Sequence, residues 1–403
     1  MKLKVNPEDF IVDEAVNLPV QAKRGPFRVY RVRKRNWDTF DLLARLARVF
    51  GCSRRDFAVG GFKDRYGQTT QLMTVRERPN LPAHHEERHF SAECLGFASR
   101  PISARDITGN HFQLTLRSLS AAEVDSIVQN LADVRRDGVP NYYDDQRFGS
   151  ARHGKGFMGR ELFLGNRESA LRLYFEPSRF DPSRERRLKS EVIRRWGRWP
   201  ELAAQAFGDY KRILEFLAED GFERSYTRAL SLIPRDYLLF VINAYQSFLF
   251  NEILRRFLLE LRPRHDFPIL TVPYLAGEFV FPARLPVDLA QQLRGETLPV
   301  PAYDTVFRQP EIRKIAADVL AREGLTLSQL RVRKLTGLQV HAKERAMLVT
   351  PGDLTATTPE DDDQYAGRQK MTLRFFLPRG SYATLLIKRL SGEGGRPSGR
   401  LAP

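Results

Sequence analysis

The sequence predicts an α+β protein in which strand-bearing parts at both ends of the chain flank a mainly helical stretch. Three observations carry this. Up to about Gly165 strand-like and helix-like patterns are mixed, from about Glu168 to Leu348 long helical periods take over, and after Pro351 short strand patterns return. Short closing elements cannot build a core alone, so they are expected to complete the first domain. On this reading residues 1–166 and 350–390 form one domain with a mixed sheet and helices, residues 167–349 are inserted into it, and residues 391–403 are a mobile tail.

Taken in order, Phe27 to Val32 mixes β-branched and aromatic residues with arginines and predicts a strand, with an alternation too imperfect to assign its faces. Thr39 is expected to cap a helix whose apolar period runs through Leu42, Leu43, Leu46 and Val49 and stops at Gly51. Phe57-Ala58-Val59 reads as a short buried strand, and Gly60-Gly61 as the point where the backbone turns sharply, which places Asp64 at a strand end. Phe112 to Leu116 alternates as a strand. Ser120 and Glu123 form the capping box of a helix that carries Val124, Ile127, Val128 and Leu131 on one face, with Gly138 and Pro140 past its end.

Within the helical stretch, Tyr210 to Ala218 and Tyr237 to Leu261 are the longest helical patterns, and a proline-rich region runs from Phe267 to Pro301. Arg184 to Arg198 is densely basic, with Trp196 inside it and Trp199 beyond. Met371 to Leu377 predicts a strand, Pro378 to Ser381 a turn, and Tyr382 to Leu390 a buried element. The acidic run Glu360 to Asp363 reads as a solvated loop rather than a metal site.

The 403 residues are 42% hydrophobic, enough for two packed domains. A formal charge of +16, from 65 Lys and Arg against 49 Asp and Glu, is the footprint of a polyanion binder, and arginine dominates the basic set. A membrane surface fits less well: no apolar run reaches spanning length and no basic amphipathic segment stands out. The N-terminus has no leader-like apolar region. Cys52 and Cys94 are too few for a disulfide framework, so the chain reads as cytosolic with both thiols reduced.

Three motifs invite chemistry. In Gly61-Phe62-Lys63-Asp64-Arg65-Tyr66-Gly67-Gln68-Thr69-Thr70-Gln71 an acid sits among glycines and polar side chains, which reads as a catalytic carboxylate on a nucleic-acid-binding loop or as a hairpin with a solvated tip. His85-Glu86-Glu87-Arg88-His89 has the H-E-x-x-H spacing of a zinc site, but Pro79 and Pro82 precede it and no apolar helix carries it, so a polar surface loop is expected. Gly149 to Gly156 approaches a phosphate-cradling loop, yet Gly156 stands where a hydroxyl should reach Mg²⁺, so a flexible basic loop is expected instead.

Four separated segments then agree. Lys4 to Glu14 resembles K-x-x-P-E-D-F-x-V-x-E, Gly61 to Gln71 resembles G-x-K-D-x-x-A-x-T-x-Q, Asn141 to Gly149 resembles N-Y-F-G-x-Q-R-F-G, and Arg374 to Thr384 resembles R-F-x-L-P-x-G-S-[FY]-A-T. These are the signatures of the TruD family of tRNA pseudouridine synthases, which the chain resembles from end to end; Gly109 to Phe112 and Asn243 to Asn251 also fit. Gly67 replaces an alanine, a change expected to be sterically tolerated. Tyr143 replaces phenylalanine and brings a hydroxyl that needs a partner, and Asp144 replaces glycine, which questions the local loop shape.

The resemblance implies a pseudouridine-synthase catalytic fold interrupted by the family's inserted module. It implies an isomerase that converts a tRNA uridine, usually that at position 13, to pseudouridine with an essential aspartate and no cofactor or metal. Other RNAs as substrates and a non-catalytic RNA-binding role are the alternatives. By the resemblance Asp64 is the catalytic acid, Lys4 pairs with it and keeps it ionised, Phe10 and Tyr143 line or stack in the pocket, and Asn141 hydrogen-bonds near the site. Lys63, Arg147, Arg194 and Arg195 are the expected RNA contacts. A cytoplasmic monomer with tRNA as its partner, and no membrane, is expected.

Overall fold

The computed structural model describes residues 1–220, 225–332, 335, 337–338 and 340–392. Chain contacts divide it into two units, one of residues 1–139 and 349–392 and one of residues 140–348. The texture of the sequence changes later, near residue 166, because the second unit opens on irregular chain and a 3₁₀ helix, Asp145–Ala151, before its α-helices begin at Met158.

In the first unit, ten strands among the described residues form a mixed sheet. Its labelled strands are β1 (Phe10–Val16), β2 (Phe27–Arg35), β3 (Phe57–Val59), β4 (Gln68–Arg76), β5 (His84–Glu87), β6 (Phe90–Ala98) and β7 (Ile107–Leu119). From one edge the order is Gly352–Ala356, Gln369–Pro378, β7, β1, β4, β2, β6 and β5; β3 pairs with β4, and Glu360–Asp361 pairs with Gln369–Pro378. The β1–β4 pair is parallel, with Val12 opposite Thr69, and the pairs flanking it are antiparallel, with Val12 opposite Phe112 and Thr69 opposite Lys34. The closing strand Gln369–Pro378 thus pairs with β7, with Leu373 opposite Leu114.

Helix α1 (Thr39–Val49) covers one face of the sheet, packing Leu42, Leu43 and Leu46 against Tyr30, Val32, Met73, Val75, Phe90 and Ala92. Each such leucine contributes about 1.5–3 kcal/mol relative to exposure. Asp38, not Thr39, caps this helix, accepting from the Phe40 N–H at 2.7 Å; the Thr39 hydroxyl is needed elsewhere, as shown below. Helix α2 (Ala121–Asp137) has the capping box at Ser120 and Glu123 and ends at Gly138, whose φ is +79°. Val128 lies 50% exposed, outside the face that buries Val124, Ile127 and Leu131. The helix Ala383–Ser391 packs on α2, and Asn130 donates to the Leu390 carbonyl at 3.0 Å, satisfying a helix-end acceptor. Ser391 therefore belongs to a buried helix, while residues 393–403 of the expected tail lie outside the described residues.

The acidic run departs from expectation. Glu360–Asp361 is a short strand, and Asp362 is buried with its carboxylate accepting from Arg117 Nη1 at 3.0 Å and from the Ser118 N–H at 2.7 Å. The Arg117 guanidinium also donates its Nε to both oxygens of buried Asp9, each at 2.9 Å, and Nη1 to exposed Asp363 at 2.8 Å. Acid clustering in sequence looked like solvation; a buried arginine from β7 makes it an internal ion network.

The second unit is mainly helical. Its long helix Arg235–His265 is buried nearly all round and carries the polar buried residues Gln246, Ser247 and Asn251. The proline-rich region supplies a hairpin, Ile269–Tyr274 with Gly277–Pro282, and Thr297–Val300, which pairs with Lys343–Ala346.

Candidate active site

In the first unit the site is the loop of residues 60–67 between β3 and β4. Asp64 lies within it, five residues past β3, and not at a strand end; β3 itself is only half-buried. Neither Gly60 nor Gly61 has a positive φ. Gly60 is needed for space, since a Cβ there would stand 2.4 Å from Ile107 Cδ1. The left-handed residue is Gly67, at φ +117°.

Several polar groups hold the loop in place. Gln71 Nε2 donates to the Gly61 carbonyl at 3.2 Å. The Thr39 hydroxyl lies 3.3 Å from the Lys63 N–H and 3.4 Å from its carbonyl. Lys34, buried on the inward face of β2 with Tyr30 and Val32, donates its ammonium to the Trp37 carbonyl at 2.8 Å and the Asp64 carbonyl at 2.6 Å. Asn36 and Gly67 exchange two hydrogen bonds, each 3.0 Å, which close the loop. Lys63, expected to meet RNA, turns its ammonium inward to Asn110 Oδ1 and to the buried Glu14 carboxylate, both at 2.7 Å. Burial pushes the Glu14 carboxyl up in pKa and Lys63 counters it.

The Asp64 carboxylate points the other way. It accepts from the Lys4 ammonium at 2.8 Å, with both side chains about a third exposed. Lys4 holds a left-handed φ of +56°, a conformation that costs a side-chain-bearing residue about 1–2 kcal/mol. Its ammonium also sits 3.9 Å from the centroid of the buried Phe10 ring. Phe10 packs edge-on to Phe112, which stacks on Phe375. The structure therefore brings Lys4, Phe10 and Asp64 together, with Phe10 as a floor whose face the ammonium already occupies.

Two predictions arise here. An alanine at position 67 would put its Cβ 2.4 Å from the Phe10 carbonyl oxygen, on a φ that alanine avoids. Gly67→Ala is expected to lower unfolding free energy by about 1–3 kcal/mol and to displace the loop; unchanged denaturation and turnover would show that this path is not required. Burial also lowers the Lys34 pKa to about 8, with Asp64 and Asp38 opposing the shift and Lys63 adding to it. Between about 8 and the ~10.4 of unfolded lysine the unfolded chain binds more protons, so this residue's stability term rises with pH. Over the same window the amine loses one donor to the loop carbonyls. The rate of the chemical step should fall as pH rises through about 8, and Lys34→Met should lose that limb; an identical limb in the variant would rule out this origin.

In the second unit the segment Asn141 to Phe148 is fixed by the long helix. Asn251 accepts from the Tyr143 N–H and donates to its carbonyl, both at 2.8 Å, and Arg147 Nε donates to Ser247 Oγ at 3.0 Å. Arg345 donates to the Asn141 carbonyl and side-chain oxygen, each at 2.7 Å, and places its guanidinium 4.1 Å from the Tyr143 ring centroid. Phe250 meets that ring edge-on, and Arg147 lies 5.5 Å from its centroid. Asp144 takes φ −91°, extended backbone open to any residue, so the missing glycine costs nothing. Arg194 is 70% exposed beside Glu191, while Arg195 is committed to Glu201.

Sequence reasoning missed Lys34 and Arg345. Lys34 lies two residues past the segment that reads as a strand, whose imperfect alternation assigns no faces; the structure extends that strand to Arg35 and puts position 34 on the buried face with Tyr30 and Val32. Arg345 sits in a short strand with no pattern to mark it. The histidine motif is not a loop: His85 lies on β5, bonded to Glu87 at 3.0 Å and packed between the rings of Phe50 and Phe90. The glycine-rich basic stretch begins inside the 3₁₀ helix, with no strand leading into it. Among the described residues no group of three His, Cys, Asp or Glu side chains could hold a metal ion, and no helix is long and apolar enough to cross a membrane.

Comparison with known proteins agrees along the chain. The model of the family tRNA pseudouridine synthase D (TruD) matches residues 1–267 and 288–390. A probable tRNA pseudouridine synthase D of Methanococcus maripaludis is 28% identical over 397 residues, covering 97% of this chain and 99% of its own. The tRNA pseudouridine synthase D of Leptospira interrogans is 28% identical over 395 residues, covering 96% and 95%. A TruD crystal structure from Methanosarcina mazei, 23% identical, shares the fold with a TM-score of 0.74 over 97% of this chain and 93% of that one.

Proposed function

The chain belongs to the tRNA pseudouridine synthase D family, and from that membership we propose that it isomerises a tRNA uridine, at position 13, with Asp64 as the catalytic acid. Pseudouridine formation breaks the N1–C1′ bond, turns the uracil and joins C5 to C1′; C5 loses a proton and N1 gains one. Atoms balance without an oxidant or an energy source. The reaction needs a carboxylate beside the ribose and a pocket for a base taken out of its stack. The observation that carries the assignment is the Lys4–Asp64 pair on a loop fixed from beneath, with the carboxylate turned outward.

On this reading Lys4 orients Asp64, Phe10 supports that ammonium, and the adjacent Lys63 anchors the loop while Asp64 faces substrate. Within the second unit, Tyr143 and Asn141 keep the base-contacting roles that family membership implies, Arg147 holds their segment, and exposed Arg194 meets phosphate.

The test is pseudouridine mapping on unmodified tRNA transcripts incubated with the purified chain. A new pseudouridine at position 13 is expected. Modification confined to other RNAs would move the substrate, and tight RNA binding with no isomerisation anywhere would leave an RNA-binding protein in place of an enzyme.

A further inference from the structure

Beside the Asp64 loop lies a feature that the reading above leaves unused. Phe40, in the first turn of α1, and Phe62, two residues before Asp64, are 47% and 59% exposed. Their rings stack on each other with centroids 4.3 Å apart and planes within 16°. Single exposed hydrophobic side chains are ordinary; a parallel pair of rings held in the open is not explained by core packing. Nor is Phe62 loosely placed, since its neighbours Gly61 and Lys63 are tied to Gln71 and Thr39.

We propose that the Phe40–Phe62 pair is a stacking platform for a nucleobase of the RNA strand next to the target uridine. This rests on the RNA-isomerase reading and adds a binding site to it. When a uridine leaves its stack, the flanking base loses a neighbour, and a fixed aromatic face replaces it at little conformational cost. Two peptide steps separate Phe62 from Asp64, at most about 7 Å between Cα atoms, so the site suits a flanking nucleotide.

Charge selects the same occupant. The Arg54 guanidinium lies 4.8 Å from the Phe40 ring centroid. Arg54, Arg55 and Arg65 are exposed and have no carboxylate partner among the described residues. A guanidinium against an exposed aromatic pair, with further exposed arginines close by in sequence, is the combination that binds single-stranded nucleic acid through phosphate and base together.

The experiment uses a tRNA transcript with 2-aminopurine flanking uridine 13, and measures affinity and fluorescence for the wild-type chain, Phe62→Ala, Phe62→Leu and Phe62→Tyr. Stacking should quench the probe in the wild-type complex. Phe62→Ala and Phe62→Leu should bind about 5–150-fold more weakly, the range of one base–aromatic stack, and lift the quench, while Phe62→Tyr keeps both. Affinity within twofold of wild type and an unchanged quench in the leucine variant would overturn the platform and make the pair an apolar loop contact or a protein-facing patch. The leucine variant preserves apolar contact with Phe40 and decides the matter if the alanine variant fails to fold. A wild-type chain that binds and quenches without forming pseudouridine would refute the proposed activity and leave the platform standing.

Discussion

Asp64→Asn is expected to abolish most turnover while leaving the fold and RNA affinity intact. The amide keeps the shape of the carboxylate and can still offer an oxygen to Lys4, which approaches the acid at 2.8 Å. It lacks the charge and basicity that chemistry at the ribose demands. A lost acid–base residue costs about 10²–10⁴-fold, and more where the same group is a nucleophile. The Asp64 carbonyl, which accepts from Lys34, is untouched, so the loop should keep its path. Single-turnover pseudouridine formation, tRNA affinity and thermal unfolding should be measured on one preparation. Near-normal turnover would remove Asp64 from the mechanism.

The largest expected effect on stability comes from Arg117→Leu. Arg117 is 7% exposed and joins Asp9, at 3%, to Asp362, at 7%. Removing one partner of a buried ion pair leaves uncompensated charge and costs about 3–5 kcal/mol. Asp9 also accepts from the Asn6 N–H at 2.8 Å, so the segment carrying Lys4 and Phe10 should loosen and turnover should fall with stability. Asp363→Asn provides the contrast: that carboxylate is exposed and screened by solvent, and its loss should leave the denaturation midpoint close to that of the wild-type chain. Equal denaturation midpoints for the two variants would mean that the network does not bear on folding.

Much of the first unit was legible because its signals are local. The β7 segment, the Ser120–Glu123 box and the apolar period of α1 each follow from spacing within about a dozen residues, and β2 follows from its β-branched and aromatic composition. The division of labour between Lys63 and Asp64 was not. Neighbours in sequence, they face opposite ways because Glu14 and Asn110, from β1 and β7, capture one of them. Thr39 was read as a cap since a hydroxyl at a helix start usually is one; Asp38 took that role and freed Thr39 to hold Lys63. Arg117 reaches an acid 245 residues away, and no periodic pattern encodes that pairing. The parts of the site set by the loop's own sequence could be read, and those set by strand register and long-range capture could not.

The discontinuous sheet has a consequence for how the protein emerges during synthesis. β7 is finished long before its neighbour Gln369–Pro378 exists, and Arg117 waits across the same gap for Asp362. At about 5–20 residues per second, 245 residues take roughly 12–50 s. Through that interval the nascent chain carries a sheet with a bare edge and a half-matched arginine, while the following helical unit is being translated. Strand edges left open invite pairing with other chains, so codon-level pauses within the inserted unit, or low chaperone supply, should reduce the yield of native protein more than they would for a domain encoded without interruption.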